Sequence, residues 1–140
     1  MALINQATNI LSERLPKVIT PRAHAWIDYA TAATFFLVGA LSWKNNRRAA
    51  WAALACGAAE VTNVLITDFP GGVKPLISFE THGKVDATLA GAVSSLPNAL
   101  GFAHAPEAHY FRAQGLAIAA VTALTDFKSE TGNRSEYDAA

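Results

Sequence analysis

The chain has 140 residues, of which 51% are apolar and only 16% are charged, and its formal net charge is zero. This length favours one domain, and the zero net charge gives no indication of a nucleic-acid partner. The single cysteine, Cys56, excludes an intramolecular disulfide and lies in an apolar run, where a small buried thiol is expected.

The first twenty residues predict an amphipathic helix that lies along a membrane interface. Apolar residues recur there at spacings of three and four, which is typical of such a helix. Pro16 is expected to kink this helix or to end it. The apolar positions are Ile4, Ala7, Leu11, Leu15 and Val18.

Four long apolar stretches follow, at residues 23–43, 49–67, 84–102 and 108–124. Alanine, leucine and glycine dominate them and no alternation of period two is present, so each is predicted to be a helix. At about 1.5 Å per residue each helix would be roughly 26–31 Å long, close to the ~30 Å of a bilayer core. No charge occurs in residues 30–42, 88–102 or 116–124, so the charges that would solvate an outer face are missing there. The sequence therefore predicts an all-α bundle of four transmembrane helices.

Aromatic and basic residues give the expected placement in the membrane. Trp26, Trp43 and Trp51 lie near the ends of the first two stretches, where tryptophan favours the headgroup level. Four spans put both termini on one side, and the larger number of basic residues there favours the cytoplasm. The basic turn from Lys44 to Arg48 argues for the opposite orientation.

Two motifs recur at one offset of 58 residues. The spacing His24-x-x-x-Asp28 returns as His82-x-x-x-Asp86, and Thr67-Asp68-Phe69 returns as Thr125-Asp126-Phe127. This pattern predicts two tandem helix hairpins, repeat one at about residues 21–78 and repeat two at about 79–127. A polar tail over residues 128–140 follows the membrane domain.

The repetition places the repeated polar residues at one membrane face. Each repeat has two spans, so both enter the membrane in the same direction around a pseudo-two-fold axis. We expect each histidine, at a helix start, to pair with an aspartate at the neighbouring helix end, because this pairing is favourable for both helix dipoles. The candidate site residues are His24, Asp28, Asp68, His82, Asp86 and Asp126.

Three interpretations of these residues stay open. The favoured one is structural, with the His and Asp side chains anchoring the helix ends. A second is a metal site, since histidines with carboxylates suit zinc, iron or copper. The third is a haem held by two axial histidines.

Two charges, Glu60 in the second stretch and Arg112 in the fourth, break the repeat. Glu60 lies about 12 Å deeper than Asp68 by helical rise, and Asn63 is one turn nearer the face. A proton or ion pathway from Glu60 through Asn63 and Asp28 to His24 is one interpretation. The other is a neutral Glu60 that is hydrogen-bonded between helices.

A family resemblance agrees with this architecture. Gly71-Gly-Val-Lys-Pro-Leu-Ile77, Ser42-Trp43 and the segment from Ser95 through Pro97 to Gly101-Phe102 resemble motifs of the SPW-repeat group. These are small bacterial four-helix membrane proteins made of two hairpin repeats. The resemblance covers about residues 21–127 and implies a multi-pass protein of the bacterial inner membrane. It implies no activity.

The function predicted from the sequence is accordingly non-enzymatic. No nucleophile elbow, phosphate loop or cysteine metal motif is present. We expect a small integral membrane protein, structural or accessory to a larger complex. The expected partners are the lipid bilayer and either further copies of the chain or a larger membrane complex. A membrane metal or haem protein, with a possible redox role, is the main alternative.

Overall fold

A computed structural model describes residues 15–128 of the chain as an all-helical fold with two very short strand pairings. The predicted helical class is confirmed, and the polar tail lies outside the described residues except for Lys128. The helices are α1 (Pro21–Ser42), α2 (Arg47–Leu65), α3 (Phe79–Ala99) and α4 (Glu107–Leu124). The strands are β1 (Thr67–Asp68) and β2 (Ile77–Ser78), which pair in parallel.

Side-chain caps explain where the helices begin. The Thr20 hydroxyl accepts a hydrogen bond from the Ala23 amide at the start of α1, and Ser78 does the same for Thr81 at the start of α3. The predicted third stretch began five residues later than α3, because the first turn of this helix is polar and hydropathy alone does not reveal it. Pro97 lies inside α3, and the helix ends two residues after it.

The helices form two hairpins, α1 with α2 and α3 with α4, and far more contacts lie within each hairpin than between them. At Gly115 a Cβ would overlap the Ser94 hydroxyl and the Ala90 carbonyl, so glycine permits the close approach of α4 to α3. The larger core cluster includes Phe35, Val93 and Phe111, each fully buried.

The segment before α1 differs from its prediction. Residues 1–14 of the predicted amphipathic helix lie outside the described part of the chain, and residues 15–20 are not helical. The amides of Val18 and Ile19 instead donate to the Leu124 carbonyl. This carbonyl at the end of α4 is left free by the helix, and it satisfies both amides in extended backbone.

The two strand pairings follow the 58-residue offset. Ile77 pairs with Thr67, and Ile19 pairs with Thr125, both in parallel. The first pairing brings the end of α2 beside the start of α3, and the second brings the end of α4 beside the start of α1. Both pairings therefore join one hairpin to the other at the same end of the bundle.

One helix in the described region, Pro21–Ser42, is long and apolar enough to cross a membrane by length and composition. The other three are of similar length, but the high alanine content of α2 and α4 and the polar residues of α3 lower their mean hydropathy.

Candidate metal centre

Four buried polar side chains form one cluster between the hairpins. His24 and Asp28 come from α1, and His82 and Asp86 come from α3. One nitrogen or oxygen from each lies within 4.8 Å of all the others, and no residue of the four is more than 4% exposed. The i,i+4 spacing places each histidine and aspartate on one face of its helix, as the sequence predicted.

Five of the six distances among the four atoms at the centre lie between 3.0 and 3.3 Å. The two histidine Nε2 atoms are 3.2 Å apart. His24 Nε2 lies 3.3 Å from Asp28 Oδ2 and 3.0 Å from Asp86 Oδ2. His82 Nε2 lies 3.1 Å from each of the same two oxygens.

Two threonines determine which histidine nitrogen faces this centre. The Thr125 hydroxyl donates its proton to the Val121 carbonyl at 2.7 Å, and His24 Nδ1 is 2.8 Å from the same oxygen. A hydroxyl has one proton, so the Thr125 oxygen must accept from His24 Nδ1–H. Nδ1 therefore carries the proton, and a neutral His24 directs the lone pair of Nε2 into the cluster.

The second histidine is held in the same way. Thr67 donates its proton to the Asn63 carbonyl, and His82 Nδ1 lies 2.9 Å from the Thr67 hydroxyl oxygen. His82 therefore also carries its proton on Nδ1 and turns Nε2 inward. Such hydrogen bonds from the remote nitrogen are what orient a metal-binding imidazole.

Aromatic rings separate the two imidazoles from solvent. Phe127 lies edge-on to His24 and Phe69 is tilted over His82, each at 5.2 Å between ring centroids. Phe79 contacts both, at 5.4 Å from His24 and 5.7 Å from His82. An apolar shell of this kind lowers the local dielectric and restricts the access of water.

This arrangement matches the ligand set of a small divalent metal ion. A tetrahedral site with bonds of about 2.0 Å has ligand-to-ligand edges of about 3.3 Å. Five of the six edges here are 3.0–3.3 Å long, and the sixth, between the two aspartate oxygens, is within 4.8 Å. Imidazole nitrogens and carboxylate oxygens are usual ligands for zinc and neighbouring transition metals.

A haem does not fit the same residues. Axial histidines bind opposite faces of the iron, with the porphyrin plane between them. Here both carboxylates lie within 3.3 Å of the His24 and His82 nitrogens and occupy the space that the porphyrin would need.

Asp68 and Asp126, two of the six predicted ligands, lie outside the cluster. Successive side chains of an extended segment point in opposite directions, so the aspartate after each inward threonine turns away from the centre. Asp126 accepts a hydrogen bond from the Lys128 amide at 3.0 Å, as in an Asx turn. The sequence predicted that each histidine pairs with the aspartate at a neighbouring helix end. Each histidine is instead hydrogen-bonded to the threonine that precedes this aspartate.

The two unrepeated polar residues of α2 are both buried, but they do not form the predicted chain. The Asn63 amide donates to Asp86 Oδ1 at 2.8 Å and does not contact Asp28. Glu60 is 2% exposed, and its Oε2 is the one buried side-chain oxygen or nitrogen between residues 15 and 128 without a hydrogen-bond partner.

Sequence reasoning missed Thr67 and Thr125 as functional residues. The signal was present, because both threonines repeat at the 58-residue offset together with the histidines that they orient. The charged residues that follow them, Asp68 and Asp126, were predicted as ligands instead. Each threonine follows the end of a helix and still donates to the carbonyl four residues earlier, which leaves its oxygen free to accept.

Comparison with protein-family models, with curated proteins and with solved structures gives no match for this chain.

Proposed function

We propose that this chain is a small four-span membrane protein that binds one divalent transition metal ion, of the zinc type, between its two hairpins. The ligands are His24 Nε2, His82 Nε2 and one carboxylate oxygen each of Asp28 and Asp86. The observation that carries this proposal is the set of five ligand-to-ligand distances of 3.0–3.3 Å around threonine-oriented imidazoles.

The balance of charge supports a metal ion at this position. Two buried carboxylates are costly unless a cation compensates them, and a divalent ion with two aspartates and two neutral histidines has no net charge. Inward lone pairs on both Nε2 atoms would repel the carboxylate oxygens without a proton or a metal between them. A metal ion satisfies all four atoms at once.

The position of the ligands supports a structural role for the ion. One His–Asp pair belongs to the first hairpin and the other to the second, and the hairpins contact each other sparsely elsewhere. A metal bound by both pairs joins the hairpins where helix packing is weakest. Binding free energy at such a site becomes folding free energy.

The exposed helix faces support a membrane location for all four helices. Within residues 15–128, the exposed charged residues of the helices lie only in their first turns or close to them. The remaining exposed positions of these 18–22-residue helices bear no Asp, Glu, Lys or Arg, whereas a soluble amphipathic helix keeps a charged face. The exposed charged residues are Arg22, Arg47, Arg48, Glu80 and Lys84.

The equivalent contacts at the 58-residue offset support the tandem-repeat part of the proposal. Both histidine–threonine pairs and both strand pairings obey this offset. The relationship to the SPW-repeat group, the bacterial inner-membrane location and the association with a larger membrane complex remain proposals that rest on the sequence motifs.

Metal analysis of the protein purified from membranes in mild detergent tests this function. We expect about one zinc-type ion per chain in the wild type and almost none in the double variant His24→Ala/His82→Ala, because two of the four ligands are lost. The matched control, Asp68→Asn/Asp126→Asn, alters repeated residues outside the cluster and should retain the ion. Metal-free wild-type protein after expression in zinc-supplemented medium would contradict the proposal, as would equal metal content in all three proteins.

A further inference from the structure

The metal centre has one side that opens into a cavity. This cavity, of about 30 Å³, lies between α1 and α4. A water molecule needs roughly 10–15 Å³ of such space and two or more polar partners, so the cavity has room for one or two water molecules. Both carboxylates, Asp28 and Asp86, line it, and neither histidine does. A ligand inside it would approach the metal between the two carboxylates.

Glu60 gives this cavity a polar group without a partner. Its side chain lines the cavity, and its Oε2 has no hydrogen-bond partner although the residue is only 2% exposed. A buried acceptor without a donor costs about 1–3 kcal/mol. The Thr31 hydroxyl lines the same space and already accepts from the Gln114 amide at 3.3 Å. Two oxygens are thus available to a ligand that donates hydrogen bonds.

The rest of the wall limits what can enter. It consists of small or branched apolar side chains from α1 and α4, apart from the Thr122 hydroxyl, which donates to the Ile118 carbonyl at 2.8 Å. The ligand must therefore be small, neutral and a hydrogen-bond donor. The apolar residues are Ile27, Ala117, Ile118 and Val121.

We infer that a water molecule in this cavity binds the metal as an exchangeable fifth ligand and donates a hydrogen bond to Glu60. The inference rests on the proposed metal site and adds a reactive position to it. Structural zinc sites are usually closed by four protein ligands, and catalytic sites keep an exchangeable water beside three. A water molecule added to the four ligands here would leave the ion its structural role and give it a position that a small molecule can reach. Glu60 lies beside the proposed metal-bound water and accepts its hydrogen bond.

Visible absorption of the Co(II)-substituted protein tests the inference. Coordination geometry is diagnostic for such ions, and tetrahedral Co(II) absorbs several-fold more strongly than five-coordinate Co(II). The matched variant is Val121→Asn, because residue 121 lies 58 positions after Asn63, and the longer amide side chain would extend into the cavity, donate to Asp28 and displace the water molecule. We expect the weaker five-coordinate spectrum for the wild type and a several-fold stronger spectrum for Val121→Asn.

The outcomes separate the two proposals. Equal tetrahedral spectra at one Co(II) per chain would overturn the fifth ligand and leave the metal site intact. Failure of the wild type to bind Co(II) or zinc would overturn both. Val121→Leu extends into the same space without a polar group and replaces the asparagine variant in this test if that variant does not fold. We expect the stronger tetrahedral spectrum for Val121→Leu as well. A wild-type-like spectrum for the variant that folds, with Co(II) bound, would also overturn the inference.

Discussion

The two seams between the hairpins, α2 against α3 and α1 against α4, carry equivalent ligands in different surroundings. At the α2/α3 seam, Asn63 donates to Asp86 Oδ1 at 2.8 Å and holds this carboxylate. At the α1/α4 seam the position equivalent to Asn63 is Val121, which has no donor, and a cavity adjoins Asp28 instead. Among the described residues, only the two histidines form hydrogen bonds or ion pairs with Asp28.

The difference teaches that the backbone and the His/Asp cluster follow the 58-residue offset, whereas the surrounding side chains do not. The carbonyls of Asn63 and Val121 both accept from a threonine hydroxyl in the same register. Only their side chains differ. One seam is therefore held by an amide, while the other has a cavity next to its carboxylate.

Removal of the proposed metal should lower the stability of the fold more than any other change, because the ion binds a carboxylate at each of the two seams. A ligand present at a hundred times its Kd stabilises the folded state by about 2.7 kcal/mol, so a strong chelator should lower the free energy of unfolding by at least about that amount. Thermal unfolding in detergent measures this loss. The variant His82→Ala should unfold at the temperature of the chelator-treated wild type, whether or not chelator is added. A chelator effect of equal size in this variant would show that the stabilising metal binds elsewhere.

Loss of either threonine should weaken metal binding next most strongly. Thr67→Val and Thr125→Val each remove the acceptor of a histidine Nδ1–H while retaining side-chain shape, and loss of such a partner typically costs roughly 10- to 100-fold in metal affinity. Competition with a chromophoric chelator measures the affinity. We expect similar losses for the two variants because their contacts are equivalent. Wild-type affinity in both would contradict the assignment of the histidine nitrogens.

The sequence predicts the helical class, the four helices to within a few residues at most ends, and the four residues of the buried His/Asp cluster, whose i,i+4 pairs repeat at the 58-residue offset. It does not identify Thr67 and Thr125, because the direction of side chains after a helix end depends on the pairing of Ile19 and Ile77 with them. Nor does it identify the partner of Asn63, since depth along α2 places this residue equally well beside Asp28 or Asp86. The choice depends on how α2 is rotated about its own axis, because α1 and α3 both lie beside it.

Exchange of the equivalent residues Asn63 and Val121 should change the metal affinity least, and it tests the difference between the two seams most specifically. Asn63→Val removes the donor to Asp86 Oδ1 and should weaken metal affinity by about tenfold, the lower end for a residue that orients a ligand. Val121→Asn adds a donor beside Asp28 and should leave the affinity equal or raise it. Isothermal titration with zinc measures both. Equal losses for the two variants would show that the seams do not differ as described.

The most direct test of the metal centre is X-ray absorption spectroscopy at the metal edge of the purified wild-type protein. We expect only nitrogen and oxygen neighbours at about 2.0–2.2 Å, with the outer-shell scattering of two imidazoles. His24→Ala should lose one imidazole or all of the metal, whereas Asp126→Asn should give the wild-type spectrum. A bound metal with sulfur neighbours, or without imidazole scattering, would contradict the centre formed by His24, Asp28, His82 and Asp86.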